Sequence, residues 1–316
     1  MKIFTSVNDV TNIDEMVNEA LMLKKDPYAF SHLGKNKTLG MVFLNPSLRT
    51  RLSTQKAGMN LGMNTIVLNM DKEGWALEMN DGAVMNGSSV EHVRDAAAVL
   101  SQYCDIIAIR CFAHMKNKEE DYSEKIINQF KKYSTVPVVS MEGSTLHPLQ
   151  SFADVITIRE NWNKKQKPKV VLTWAPHIKP IAQAVANSFS EWMLKTDVDF
   201  TITHPEGYEL SEAFTKGAKI VYDQQEALKD ADFVYVKNWS CYTDYAKIAC
   251  TDSSWMLTNK KLEVTNNAKV MHCLPVRRNL EVSDEVLDGA NSLILQQASN
   301  RLFSAQAVLK KILETK

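Results

Sequence analysis

The chain has 316 residues, enough for one large or two moderate domains. Lysine plus arginine and aspartate plus glutamate both number 37, so the net charge is zero and there is no general basic field for nucleic acid. Hydrophobic residues at 45% and charged residues at 23% are ordinary for a water-soluble protein, and no apolar stretch reaches membrane-spanning length.

The amino-terminal stretch MKIFTSVNDVTNIDEM lacks the apolar core of a signal peptide. Cys104, Cys111, Cys241, Cys250 and Cys273 form no C-x-x-C pair, so reduced thiols and a cytoplasmic location are expected. Short apolar runs predict strands over 38–44, 65–70, 105–111 and 136–141, with helices over 88–103 and 119–133. In VEHVRDAAAVL, Val90, Val93, Ala97 and Leu100 recur at helical spacing, with Ser89 as N-cap. A helix over 148–160 then leads to a second series of strands: 169–174, 199–203, 219–222, 233–237, 269–273 and 292–296. Helices fall between them, including 181–194, and a last helix covers 304–313. Alternation on this scale is that of an α/β protein with two parallel-sheet domains. Open parallel sheets bind ligands at the carboxyl ends of their strands, so polar clusters there are the candidates for function.

The first cluster is Ser47-Leu48-Arg49-Thr50-Arg51, where strand 38–44 turns into a helix. Unpartnered first-turn N–H groups, hydroxyls and a guanidinium fork are what a phosphate needs. The alternative is a capped helix start with solvated arginines. Arg110 closes strand 105–111, either snorkelling to water or facing a cleft. His147-Pro148-Leu149-Gln150 follows strand 136–141; His147 can donate to a carbonyl and Gln150 can donate or accept. His272-Cys273-Leu274-Pro275-Val276-Arg277-Arg278 follows strand 269–273. Neighbours in a strand face opposite ways, so His272 is poorly placed to activate Cys273 as a nucleophile. The carbonyls there are candidate acceptors for an amide or amine, and Arg277 for an anion. Lys237-Asn238-Trp239, Asn300-Arg301 and Trp174-Ala175-Pro176-His177 complete the set; each alone is more often structural, and together they form a polar set drawn from both halves of the chain. The histidines show no H-x-x-x-H or H-E-x-x-H spacing, so no metal is expected, and no cofactor.

In this order these residues resemble the aspartate/ornithine transcarbamylase family, whose S-x-R-T-R, H-P-x-Q and H-C-L-P signatures are matched by 47–51, 147–150 and 272–275. The terminal Asn300-Arg301 matches as well. The resemblance implies the transcarbamylase fold, with a second domain that is knotted. It implies a carbamoyl phosphate-binding domain of residues 1–147 with 302–316 and an acylornithine-binding domain of 148–301. Ser47, the Leu48 N–H, Arg49, Thr50 and Arg301 would hold phosphate. Arg110, His147 and Gln150 would polarise the carbamoyl carbonyl, and the carbonyls of Cys273 and Leu274 would hold its NH₂. Trp75 would reach this site from a neighbouring subunit of a homotrimer with shared active sites.

Ornithine transcarbamylases hold the free α-amino group with D-x-x-x-S-M-G; this chain has Lys237-Asn238-Trp239-Ser240 there. A lysine suits an acylated, uncharged α-nitrogen, and the pattern resembles the acylornithine branch. Glu142, His177, Lys237, Leu274 and Arg277 would then bind the amino acid. Enzymes for the acetyl substrate carry glutamate where Val90 stands. Val90 would leave room for succinyl, with Arg277 or another cation on the extra carboxylate, unless Val90 merely packs in the core. The implied activity is transfer of the carbamoyl group from carbamoyl phosphate to an N-acylornithine in arginine biosynthesis, with the succinyl substrate preferred. The alternatives are the acetyl substrate, another amine such as putrescine, and a non-catalytic carbamoyl phosphate-binding regulator.

Overall fold

The computed structural model describes residues 1–70 and 72–315. The chain divides into two compact units. Unit 1 is Met1–His114, Glu119–Leu149 and Arg301–Lys316; unit 2 is Met115–Lys118 and Gln150–Asn300. The longer divisions fall inside two helices, Pro148–Glu160 and Ile294–Leu313.

Unit 1 is built on a five-stranded parallel sheet of β1 (Ile3–Phe4), β2 (Thr38–Phe43), β3 (Asn64–Asn69), β6 (Ile106–Arg110) and β7 (Val138–Glu142), in the order β1-β7-β6-β2-β3. A small parallel pair, β4 (Leu77–Glu78) and β5 (Glu91–His92), lies apart from it. All five residues of β6 and of β7 are buried, because a parallel sheet covered on both faces needs continuous apolar runs. Val42, Ile107, Ile109 and Val138 pack with Val93 and Ala97 of helix Val93–Tyr103 and with Ile127 and Phe130 of helix Lys125–Tyr133. The strand order reverses between β2 and β6, whose ends Phe43 and Arg110 are register partners. That is where a doubly wound sheet opens its ligand crevice.

Two helices of unit 1 depart from expectation. The helix predicted over 88–103 begins only at Val93, since Glu91 and His92 are extended and paired with β4. Its N-cap is therefore His92, whose Nδ1 accepts the Arg94 N–H at 3.0 Å, and not Ser89. The helix predicted over 119–133 is two, Lys118–Tyr122 and Lys125–Tyr133, broken where Glu124 takes a left-handed conformation with φ 48°. The break is tertiary in origin. The Glu124 carboxylate accepts the N–H groups of Ser144 at 3.1 Å and Thr145 at 2.6 Å, and the Thr145 hydroxyl at 2.6 Å. A Cβ on Gly143 would lie 2.6 Å from Glu124 Oε2, so a larger residue there would push this carboxylate away from the loop that leads to His147.

Unit 2 carries a second five-stranded parallel sheet: β8 (Lys169–Trp174), β9 (Asp199–Thr203), β10 (Lys219–Val221), β11 (Phe233–Lys237) and β12 (Lys269–Met271), in the order β10-β9-β8-β11-β12. Val171, Val234, Val236 and Val270 form its core with Ala227, Leu228, Val286 and Leu287. The order reverses between β8 and β11, where Trp174 and Lys237 are register partners. The strand expected over 292–296 is absent. Ser292 makes a single bridge to Val270, and helix Ile294–Leu313 starts two residues later, ten before the helix predicted over 304–313. β12 stops at Met271 because the next N–H, that of His272, goes to the side chain of Gln297 instead of to a strand.

Candidate active site

In unit 1 the chain leaves β2 and enters helix Leu48–Asn60 through Ser47, an extended N-cap whose Oγ accepts the Thr50 N–H at 3.4 Å. The first N–H groups of that helix have no carbonyl behind them, and the helix dipole adds positive potential. Thr50 is buried, and its Oγ1 accepts from Arg301 Nη2 at 2.6 Å, so the carboxyl-terminal helix brings its arginine to this turn. The buried Nε of Arg49 has no hydrogen-bond partner among the described residues. Such a donor is rarely left idle in a native protein.

Arg110 is nearly fully buried at the end of β6. Its Nη1 donates to the carbonyls of Asn45 at 2.9 Å and Pro46 at 2.8 Å, which ties it to the loop before Ser47. Its Nη2 lies 3.0 Å from Glu142 Oε2, and the guanidinium sits 4.0 Å over the Phe112 ring. Burial lowers the Arg110 pKa, Glu142 offsets this, and Arg49 adds repulsion; guanidinium basicity leaves it charged. His147 Nε2 lies 3.4 Å from the same Glu142 oxygen. Burial, then the charges of Arg301 and Arg110, hold His147 well below the ordinary histidine value, so it is neutral at pH 7. The whole is three guanidinium groups, one carboxylate and a neutral imidazole: a local excess of positive charge in a chain with none overall.

Trp75 and Val90 form a separate group on the surface of unit 1, 51% and 67% exposed. Trp75 Nε1 donates to Glu91 Oε2 at 2.8 Å, and the Val90 N–H to the Ala76 carbonyl at 3.0 Å, so both ride on the β4–β5 pair. The exposure of Val90 removes the reading in which it packs in the core.

In unit 2, β11 delivers a nearly buried Lys237 beside the end of β8, and the loop after Trp174 carries His177. Arg277 Nε donates to His177 Nε2 at 3.0 Å, and His177 Nδ1 lies 2.8 Å from the Lys179 carbonyl. The Lys179 N–H lies 3.2 Å from the same Nδ1, so the ring is held at both nitrogens. Burial lowers the His177 pKa, and the Arg277 and Lys237 charges add to this, which agrees with a neutral ring. Beneath them is a carboxylate that the motifs did not reveal. Glu281 Oε2 accepts the Arg277 N–H at 2.8 Å, and Oε1 lies 3.5 Å from His272 Nε2. Burial acts to raise the Glu281 pKa, but His272, Lys237 and the Arg277 N–H outweigh it and hold it at about 2.

His272 is fully buried and points away from any nucleophile role. Its Nδ1 accepts the Leu274 N–H at 2.9 Å. This holds Leu274 in the left-handed region at φ 56°, a conformation that costs a non-glycine residue about 1–2 kcal/mol. Gln150, also fully buried, donates from Nε2 to Asp154 Oδ1 at 2.8 Å. Other members of the polar set make hydrogen bonds within unit 2. Asn238 donates to the Ala175 carbonyl at 2.6 Å, Trp174 Nε1 to the Trp239 carbonyl at 2.9 Å, and Asn300 to Thr157 and Glu160 at 2.9 and 2.7 Å. The structure thus gathers Thr50, Arg301, Arg110, Glu142 and His147 in unit 1, and His177, Lys237, Arg277 and the 272–274 backbone in unit 2. Glu281 and Asp154 were missed. The signal available was spacing, since each stands four residues after a site residue, Arg277 and Gln150.

Comparison with known proteins agrees with this chemistry. Residues 2–160 match the profile of the aspartate/ornithine carbamoyltransferase carbamoyl-P binding domain, and residues 181–312 that of the Asp/Orn binding domain. The chain is 52% identical over 316 residues to the N-succinylornithine carbamoyltransferase of Bacteroides fragilis, covering 99% of each. It is 32% identical over 317 residues to the N-acetylornithine carbamoyltransferase of Xanthomonas campestris pv. campestris, covering 94% of this chain and 93% of that one. A variant of N-acetyl-L-ornithine transcarbamylase crystallised with carbamyl phosphate and N-succinyl-L-norvaline superposes with a TM-score of 0.93 at 31% identity, over 99% of this chain and 100% of that one.

Proposed function

The chain belongs to the aspartate/ornithine carbamoyltransferase family, and on that premise we propose that it carbamoylates the δ-amine of N-succinyl-L-ornithine, giving N-succinyl-L-citrulline and phosphate, as a step of arginine biosynthesis. The observation that carries the substrate is the 52% identity over 99% of both chains to a carbamoyltransferase named for that amine, against 32% to one named for N-acetylornithine.

In unit 1, Ser47, the Leu48 N–H, Arg49, Thr50 and Arg301 take the phosphate of carbamoyl phosphate, and Arg110 and His147 face its carbonyl oxygen. In unit 2, Gln150 and the carbonyls of Cys273 and Leu274 take the carbamoyl group. The neutral amine attacks the carbamoyl carbon, the new C–N bond forms, charge builds on the carbonyl oxygen, the C–O bond to phosphate breaks, and one amine proton passes to the departing phosphate. Donors aimed at that oxygen lower the barrier, each worth about 3–4 kcal/mol. A neutral His147 donates without competing for the phosphate. Arg49, Arg110 and Arg301 neutralise the departing charge. His177, Lys237, Leu274 and Arg277 hold the acylornithine, with Glu142 and Val90 contributing from unit 1. Lys237 suits an acylated α-nitrogen, and Val90 leaves the acyl group room that a glutamate would deny.

The active assembly is a homotrimer in which Trp75 serves a neighbouring subunit. Support for this lies in the exposure of Trp75, Val84, Met85 and Val90 on one short stretch of unit 1. No described helix is long and apolar enough to cross a membrane. The five free cysteines support the cytoplasmic location proposed for the enzyme. The test is to mix the protein with carbamoyl phosphate and N-succinyl-L-ornithine and follow both products. Equal amounts of phosphate and N-succinylcitrulline are expected; phosphate without the carbamoylated product would overturn the assignment.

A further inference from the structure

Asp154 is fully buried and has no role in the scheme above. It stands four residues after Gln150 on helix Pro148–Glu160, one turn away on the same face. Its Oδ1 accepts from Gln150 Nε2 at 2.8 Å and from Gln297 Nε2 at 2.7 Å. Gln297, also fully buried, uses its Oε1 to accept the His272 N–H at 2.8 Å. His272 in turn accepts the Leu274 N–H on Nδ1. One run of hydrogen bonds therefore joins Gln150, Asp154, Gln297 and the backbone at 272–274, all within unit 2.

The carboxylate sets the direction of the run. A glutamine amide can be turned end for end at little cost, but here both glutamines give their Nε2 to the one oxygen, Oδ1, which accepts from each. Gln150 must therefore present its NH₂ to Asp154 and turn its oxygen the other way. Gln297 must do the same, which leaves Oε1 as the acceptor that the His272 N–H needs.

We propose that Asp154 is a positioning residue, which from one buried oxygen fixes both the Gln150 side chain and the backbone carrying the Cys273 and Leu274 carbonyls. It touches no reacting atom and acts through groups assigned to the carbamoyl moiety, so the inference rests on that assignment.

The test uses the full chain with Asp154→Leu, which keeps the branched shape but offers no acceptor, Asp154→Asn, which keeps one oxygen, and Gln297→Leu, which breaks the connection from Asp154 to His272 and leaves the Gln150 bond. Asp154→Leu is expected to lose about 50-fold or more in kcat, Gln297→Leu about tenfold, and Asp154→Asn less than about tenfold. Inhibition by inorganic phosphate, which reports on the arginines of unit 1, is expected to change by less than about twofold in all three. Should Asp154→Leu fail to fold by circular dichroism, Gln297→Leu carries the test. A folded Asp154→Leu or Gln297→Leu protein with kcat within about twofold of the parent overturns the proposal. So does a loss of phosphate inhibition in step with kcat, which marks a general structural role. If the parent turns over N-acetylornithine and not N-succinylornithine, the substrate assignment fails, and the same ratios measured with the working amine still decide Asp154.

Discussion

Replacing Glu281 with glutamine keeps its shape and removes its charge. In the folded protein the carboxyl is held at about 2, against an ordinary value of 4.5. At about 1.4 kcal/mol for each tenfold change in acid constant, the difference corresponds to about 3 kcal/mol. The His272 contact at 3.5 Å is long for a full hydrogen bond, so this is a ceiling. The folded value lies below the unfolded one. The stabilisation is therefore complete above the unfolded value and is lost as pH falls toward the folded one. Glu281→Gln is expected to cost about 2–3 kcal/mol in urea unfolding at pH 7, with the gap to the parent narrowing by about 1 kcal/mol at pH 4 and about 2 kcal/mol at pH 3. Activity should fall as well, since Glu281 anchors the Arg277 N–H and lies within reach of the Lys237 charge. A gap below about 0.5 kcal/mol at pH 7, or one that does not change with pH, would refute this account of the charge.

Arg49→Ala is expected to lose at least about 100-fold in kcat/KM for carbamoyl phosphate while staying folded, read by steady-state kinetics and circular dichroism. Val90→Glu should move the succinyl-to-acetyl preference toward acetyl by about tenfold; an unchanged ratio removes Val90 from the acyl pocket. Because His147 is held well below 6.5, it stays neutral at neutral and alkaline pH. The pH profile of kcat/KM for carbamoyl phosphate should then show no acid limb near the ordinary histidine value that disappears in His147→Asn.

The sequence was most legible where burial is simplest. Strands 169–174, 199–203 and 233–237 end where the structure ends them, because a covered parallel strand is a short run rich in β-branched and aromatic residues. Leu293 and Ile294 mislead for the same reason: a short apolar run does not say whether it opens a helix or a strand. The break at Glu124 and the cap at His92 depend on partners distant in the chain, the 144–145 loop and the β4 strand, which no local window contains. At the site, motif residues stood out because hydroxyls and guanidinium groups at strand ends are conspicuous. Asp154 and Glu281 did not, because a buried carboxylate on a helix or turn looks in sequence like any solvated acid.

The most direct test of the central claim is the ratio of kcat/KM for N-succinylornithine, N-acetylornithine and ornithine, measured side by side with saturating carbamoyl phosphate. The account predicts a clear preference for N-succinylornithine and none for the free amino acid. Preference for N-acetylornithine would contradict the roles given to Val90 and Arg277. Turnover of ornithine alone would contradict the reading of Lys237 as the partner of an acylated nitrogen.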